Sequence, residues 1–329
     1  MDIHHKTFKM TKLGVLIPTF RRPTHLTTLL WSLSDQIRTP DQVIIVFRGD
    51  DDLTILAINE WLKNSPLASL STLVTISETG HLPPLIAGLK VCSTDVVCLI
   101  DDDAVPTTDW LKHIKEDFDD PLIGGIGGKV INHIKGNPEP FVITPGKLSW
   151  FGRSGHYGKS QGLSGNLFEI DCPNGGNMAY RKEAMLKSID MVLNGGSAIS
   201  YETDIALNVK KTGLKVLYDP RVVIDHYPAP RHIDAKRGWN AEECFIYAHN
   251  LTYICMRHLR WYGKLGFLIY FFVGGSWGCP GLVTYFLGLC FGRKLSWSRH
   301  FLPSMKGRWE GIRSFSKKLA IEKVHLNEI

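Results

Sequence analysis

The sequence lacks paired cysteines: its seven (Cys92, Cys98, Cys172, Cys244, Cys255, Cys279 and Cys290) are scattered, with no CxxC and no Cys/His cluster at zinc-ligand spacing. That excludes a disulfide framework and a structural zinc module, and it suits reduced, buried cysteines of a cytosolic protein. There is also no internal repeat or low-complexity tract. The first apolar run is followed not by a glycine-rich phosphate loop but by Pro18-Thr19-Phe20-Arg21-Arg22-Pro23. The opening Met1-Asp2-Ile3-His4-His5-Lys6 has no apolar stretch of the secretory kind, so the expectation is a cytosolic chain. With 44% hydrophobic and 21% charged residues over 329 positions, the chain is neither disordered, collagenous nor a polytopic membrane protein. Its charge is unevenly spread: residues 1–230 carry 23 Lys and Arg against 26 Asp and Glu, and residues 231–329 carry 15 against 6.

The apolar runs Leu13–Pro18, Val43–Phe47, Leu73–Ile76 and Val96–Ile100 predict strands. Between them Thr24–Leu33, Leu53–Leu62 and Leu85–Val91 have helical spacing. This alternation predicts an α/β fold, a doubly wound, mostly parallel sheet with helices on both faces, whose ligands belong at the C-terminal strand ends. From Gly124 the texture turns glycine-rich. Residues 146–165, holding Trp150, Arg153, His156 and Tyr157, read as a loop that orders over substrate or as a long surface excursion. Residues 202–212 predict a helix closed by Gly213, followed by two strand-like runs, Lys215–Tyr218 and Arg221–Ile224.

Several residues in this frame can carry chemistry. Ile100 leads into Asp101-Asp102-Asp103, and Asp101 and Asp103 would point the same way and repel unless a cation or proton lies between them. Mg²⁺ or Mn²⁺ above a diphosphate is the simplest remedy; a solvated acidic turn with Asp103 as a cap is the plainer one. Tyr201-Glu202-Thr203-Asp204 puts two carboxylates in the first turn of a helix, where the dipole favours their ionised forms and a general base can be drawn. A capping sequence built on Ser200 and Thr203 explains the same residues. His226, at a strand end, can be a metal ligand, a phosphate donor or a polar terminus. Asn174-Gly175-Gly176-Asn177 reads as a tight turn that lets backbone approach a ligand.

In combination and order, these segments resemble the family-2 glycosyltransferases of GT-A fold over about Leu13–Tyr227. The resemblance is carried by Val15-Leu16-Ile17-Pro18-Thr19-Phe20-Arg21-Arg22, by Leu99 through Pro106 with Asp109-Trp110-Leu111, by Gly176 through Arg181, and by Glu202-Thr203-Asp204-Ile205 with Gly213 and Tyr218 through His226. It implies an inverting, hexosyltransferase-type transfer from a nucleoside-diphosphate sugar to a hydroxyl of a glycan or lipid-linked acceptor, in surface polysaccharide synthesis. It further implies donor contacts from Pro18, Thr19, Arg21, Asp101, Asp102 and Asn177, and a metal held by Asp101, Asp103 and His226. The family usually has Glu-Asp here, and counting back from Gly213 puts Glu202 at the usual Asp position, so the resemblance implies Glu202 as the base, with Asp204 in reserve. Arg48 stands where the family typically has an Asp contacting the nucleotide base, leaving Asp50 or Asp52 to reach the donor. A nucleotidyltransferase acting on sugar phosphates is the rival enzyme, and an inactive glycan-binding or scaffold relative the non-enzymatic rival.

The expected organisation is a catalytic domain over 1–230, with a nucleotide half to about 123 and an acceptor half from 124, followed by a helical C-terminal region over 231–329. Leu265–Phe291 holds no Asp, Glu, Lys or Arg, but Gly274–Gly281 interrupts it. Each apolar arm is then too short to cross a bilayer core of about 20 helical residues. Basic residues flank both sides: Arg257, Arg260 and Lys264 before, Arg293, Lys294 and Arg299 after. The expectation is therefore a membrane-associating hairpin over 265–291 that keeps both flanks beside anionic lipid on the cytosolic face of the cell membrane, with a kinked single span and a buried helical pair packed on the catalytic domain as the alternatives, and no nucleic-acid partner.

Overall fold

The computed structural model describes residues 11–134, 137–138, 146–153, 166–195, 198–229, 240–276, 278–290 and 299–327. In chain order the elements are β1 (Leu13–Pro18), α1 (Pro23–Ser34), β2 (Gln42–Arg48), α2 (Asp52–Asn64), β3 (Ser71–Ile76), α3 (Leu82–Val91), β4 (Val96–Ile100), β5 (Ala104–Pro106), α4 (Trp110–Asp117), β6 (Ile123–Ile134), β7 (Asn137–Pro138) and β8 (Phe168–Glu169). There follow β9 (Asn177–Arg181), α5 (Lys182–Ser188), α6 (Tyr201–Lys211), β10 (Lys215–His226), α7 (Ala241–His258), α8 (Trp261–Leu268), a π-helical turn (Ile269–Gly274), α9 (Leu282–Cys290) and α10 (Phe301–Asn327).

The main path of the sheet runs β3-β2-β1-β4-β9-β6-β10-β5. Pairs β1/β2, β2/β3, β1/β4 and β6/β10 are parallel. β9 enters antiparallel between β4 and β6, because it arrives from the turn at Asn174–Gly176 and not from a crossover helix. Successive strand residues feed opposite cores, as the two-residue side-chain period requires. Val15, Ile17, Val43, Ile45, Val96 and Cys98 pack with Leu26, Leu30, Trp61 and Trp110 of α1, α2 and α4. Leu16, Ile44, Val46, Val97 and Leu99 pack on the other face with Leu85, Met185, Ile205 and Val209 of α3, α5 and α6. Both faces are covered, which is why these strands read as continuous apolar runs.

The later half departs from the sequence reading. Gly124–Gly128 is the interior of β6, where the bare positions admit the Tyr180 ring and Leu214. The two strand-like runs after Gly213 are one strand, β10, whose register against β6 shifts between Asp219 and Val223. At that bulge Arg221 folds back on Asp219 at 2.8 Å and reaches Asp117 at 3.1 Å.

The C-terminal region shares the second core, to which α7 contributes Tyr253 and Ile254. α10 lies along α7 through Gly307 and Gly311: a Cβ on Gly307 would stand 2.3 Å from Phe245 O, and one on Gly311 2.6 Å from His249 O. Spacing of this small-x-x-x-small kind lets two helix backbones touch. The buried Arg308 guanidinium donates to Cys279 O and Pro280 O at 2.8 and 2.9 Å and lies 4.1 Å from the Phe271 ring centroid, so it fastens the turn between α8 and α9. Leu265–Phe291 thus forms two short helical arms around Gly275–Gly281, with Phe291 outside the described residues. Among the described residues no helix is long and apolar enough to cross a membrane. Six cysteines are buried as expected, while Cys290 is exposed.

Candidate active site

Everything in the site is arranged around the tip of β4. Asp101 is exposed there, Asp102 and Asp103 are buried. One ligand atom each from Asp101, Asp103 and His226 lies within 4.8 Å of the others. His226 ends β10, which pairs antiparallel with β5 at Ala104 and so returns to the residues just after the aspartates. Its Nε2 stands 3.0 Å from Asp103 Oδ1, and its Nδ1 2.7 Å from Asn132 Oδ1 on β6. The Nδ1–H therefore donates to Asn132, which turns Nε2 toward the carboxylates, the orientation a metal-binding imidazole needs. Burial alone would lower the His226 pKa, but the hydrogen bond and charge of Asp103 outweigh it and hold the ring above its ordinary value. Burial likewise opposes ionisation of Asp103, but His226, the Ala229 N–H at 2.8 Å and Arg22 keep its carboxyl below the usual range. The donor set, two carboxylates and an oriented imidazole sharing one small space, fits a divalent cation.

Asp102 turns elsewhere. It accepts from Thr19 Oγ1 at 2.8 Å and Arg22 Nη1 at 2.7 Å, and Arg22 also reaches Asp103 at 3.2 Å. Burial pushes the Asp102 carboxyl up to about 6 against the pull of Arg22. Through these contacts Asp102 holds the loop after β1 against the tip of β4. Arg22, one residue beyond the expected Arg21, is the arginine that meets the acidic cluster. Arg21 is exposed at φ +54°, and its backbone N–H donates to Asp51 Oδ2. Asp51 also caps α2 through Thr54 N at 3.2 Å, so it joins the β1 and β2 loops, which Asp50 and Arg21 also bridge at 3.9 Å. Asp50 pairs bidentately with Arg48 at 2.9 and 2.7 Å. Asp52 is exposed in the first turn of α2, and Pro18 is half-buried at the end of β1.

The acceptor-side residues divide sharply. A Cβ on Gly175 would stand 2.5 Å from Glu202 Oε1, and one on Gly176 2.6 Å from Asp101 Oδ2. This bare two-residue turn thus has Glu202 against one glycine and the acidic cluster against the next. Burial pushes the Glu202 carboxyl up to about 8, and the nearby negative charge of Asp101 adds to the shift. Asp204, two residues on, is fully engaged: His258 Nε2 lies 2.7 Å from Oδ1, and Arg257 Nη1 and Asn208 Nδ2 lie 2.9 and 3.0 Å from Oδ2. Only 1% of its surface is exposed. Asn177 is buried as well. Its amide donates to Lys129 O and Val222 O at 2.9 and 3.0 Å, and its carbonyl accepts from Trp110 Nε1 at 2.9 Å. Its amide bridges β6 and β10 at the bulge.

Of the expected substrate loop, residues 154–165 lie outside the described residues. The described part carries Trp150 and Phe151, whose rings pack with Tyr262 and Tyr270 of the C-terminal region. The model of glycosyl transferase family 2 matches residues 14–187, more than half of the chain. The chain belongs to glycosyl transferase family 2. Within that match fall the family's β1 loop and aspartate segment, whereas Glu202 and His226 lie beyond it and are tied to it by geometry. Over 128 residues the chain is 26% identical to the O-antigen chain rhamnosyltransferase RfbN of Salmonella typhimurium, an alignment covering 39% of this chain and only 40% of that protein. The mannosyltransferase PcManGT of Pyrobaculum calidifontis, solved with GDP-Man and Mn²⁺, superposes with a TM-score of 0.57 at 16% identity, covering 93% of this chain and 88% of that one. S. aureus TarS 1–349 with UDP-GlcNAc gives 0.56 at 14% identity, covering 86% and 76%. The fold is accordingly the GT-A arrangement of these glycosyltransferases.

The assignment of Asn177 can be checked directly. Asn177→Ala strands two buried carbonyls and an indole N–H, each worth about 1–3 kcal/mol. Thermal unfolding should therefore shift down by several degrees, while the affinity of the folded fraction for nucleoside diphosphates, measured by calorimetry, stays the same. An unchanged melting temperature with weakened nucleotide binding would return Asn177 to the donor site.

Proposed function

We propose that this family-2 glycosyltransferase transfers a sugar, with inversion, from a nucleoside-diphosphate sugar to a hydroxyl of a glycan or lipid-linked acceptor in surface polysaccharide synthesis. The observation that carries this reading is the Gly175–Gly176 turn, which has Glu202 against one glycine and Asp101 against the next. The acceptor hydroxyl attacks the anomeric carbon from the face opposite the diphosphate, the bond from that carbon to the diphosphate oxygen breaks, and Glu202 takes the hydroxyl proton. Asp101, Asp103 and His226 would hold Mg²⁺ or Mn²⁺, which when bound supplies positive charge to the departing diphosphate. Arg22 keeps the loop after β1 in place, and the bare glycine turn lets the Glu202 and Asp101 carboxylates approach its backbone. A sugar-nucleotide donor and a divalent ion are supported by the GDP-Man, UDP-GlcNAc and Mn²⁺ of the structural neighbours, and a polysaccharide acceptor by the O-antigen relative.

The test is a screen of sugar nucleotides with Mn²⁺ by thermal stabilisation, then kinetics with the donor found. A ligand at 100 times its Kd adds about 2.7 kcal/mol to stability. Glu202→Gln should lower turnover roughly a hundred-fold or more at nearly constant donor affinity. Because a base works ionised and burial has raised this one, wild-type kcat/KM should climb through pH values near 8 and level above them. Full turnover in Glu202→Gln, or a flat profile across this range, would remove Glu202 from the reaction.

The membrane association belongs to the same reading. Leu265, Ile269, Phe286 and Leu287, each at least half exposed, give the α8–α9 hairpin an apolar surface, and the basic residues Arg260, Lys264 and Arg299 that flank it in sequence support contact with anionic lipid. Arg257 is not among them, being paired with Asp204. A monotopic hairpin on the cytosolic face would bring the active site to a lipid-linked acceptor. The protein should pellet with membranes and need detergent for release, and Phe286→Glu with Leu287→Glu should free it. Recovery of the wild type in the soluble fraction at physiological salt would contradict the anchor.

A further inference from the structure

Glu202 is reached through strained backbone. Ala198 and Ser200 hold φ of +48° and +73°, a left-handed conformation that strains a non-glycine residue and persists only where its surroundings impose it. The surroundings here are α7. Asn250, 1% exposed, donates Nδ2 to Ile199 O at 2.9 Å, between the two strained residues, and to Leu193 O at 3.4 Å. Its Oδ1 stands 2.8 Å from His249 Nδ1. Tyr253 donates its hydroxyl to Asp190 at 2.6 Å, ahead of the same segment. Beyond Glu202, Arg257 and His258 engage the two oxygens of Asp204. Positions 250, 253, 257 and 258 form one helix face, and every one of them grips residues 190–204. The opposite side of α7 is pressed by Gly307 and Gly311 of α10, so the gripping face is itself held.

We propose that α7 is the positioning element for the base: Asn250 fixes the left-handed entry into α6, the Arg257–His258 pair on Asp204 fixes its first turn, and together they aim Glu202 at the Gly175–Gly176 turn. The inference rests on Glu202 being the base. It gives the C-terminal region a part in turnover that is separate from any membrane contact, and it makes Asn250, Arg257 and His258 positioning residues that touch no substrate.

The experiment compares Asn250→Ala, Arg257→Met and Arg257→Lys in the full chain with Mn²⁺ and the donor found by the screen. Small misplacements of a reacting group cost roughly 10- to 100-fold. kcat should fall by that order in Asn250→Ala and Arg257→Met, while the calorimetric donor affinity and donor KM stay within about twofold. Arg257→Lys, which keeps a cation beside Asp204, should recover most of the loss. A matching fall in donor affinity would mean general loosening and overturn the proposal, as would wild-type kcat in both disruptive variants. If Asn250→Ala does not fold, Arg257→Met and Arg257→Lys decide the question by the same readouts. Glu202→Gln measured alongside separates the failures: if it is inactive while the α7 variants are unaffected, the positioning inference falls alone, and if it is active the base assignment falls.

Discussion

Three consecutive carboxylates at the end of a buried strand repel one another, and the way that repulsion is relieved governs the shape of the site. Asp102 is neutralised from the β1 side by Arg22 and Thr19, and Asp103 from the β10 side by His226 and the Ala229 N–H. These contacts draw the β1 loop, the β4 tip and the end of β10 to one point, although they are distant in sequence. His226, held above its ordinary pKa by Asp103, faces the same carboxylates that a divalent ion would meet. Asp101 is left exposed, and its charge is felt by Glu202 across the glycine turn. The proposed cation site and the proposed base would thus be electrostatically linked: a cation bound at Asp101 and Asp103 would ease the ionisation of Glu202.

The C-terminal region is built into this arrangement. α7 lies in the second core and grips the entry to α6, α10 holds α7 through two glycines, and Arg308 ties the α8–α9 turn to α10. An apolar hairpin is in this way carried by the same helices that support the acceptor side of the site. Contact with lipid and delivery of an acceptor hydroxyl to Glu202 would then take place on one rigid framework.

Much of the nucleotide half was legible in sequence because its strands are covered on both faces: apolar runs such as Leu13–Pro18 and Val96–Ile100 coincide with β1 and β4. The later half was less legible for physical reasons. Glycines in β6 carry no hydrophobic signal, since Tyr180 fills the space their side chains would take, and the bulge in β10 splits one strand into two apparent runs. Within the site, the positions of Asp101, Asp103, His226 and Glu202 could be read from strand ends and helix starts. What could not be read was the partner of each polar residue. Asp204 meets Arg257 and His258, and Asn177 meets Lys129 and Val222, partners far away in sequence that no local pattern announces. Arg22 and Asp51 each sit one position from a residue singled out. The Arg-Arg and Asp-Asp-Asp runs hide which member turns inward, and the only sequence signals were the proline starting α1 and the cap position of α2.

The central claim is that the relieved carboxylate cluster is a cation site adjoining the base. Crystals grown with Mn²⁺ and a bound nucleoside diphosphate, measured at the manganese edge, test it most directly. A single anomalous peak should lie in contact with Asp103, His226 and the diphosphate, beside Asp101, with Glu202 across the Gly175–Gly176 turn from it. Nucleotide bound without a peak there, or a peak away from these three side chains, would contradict the account.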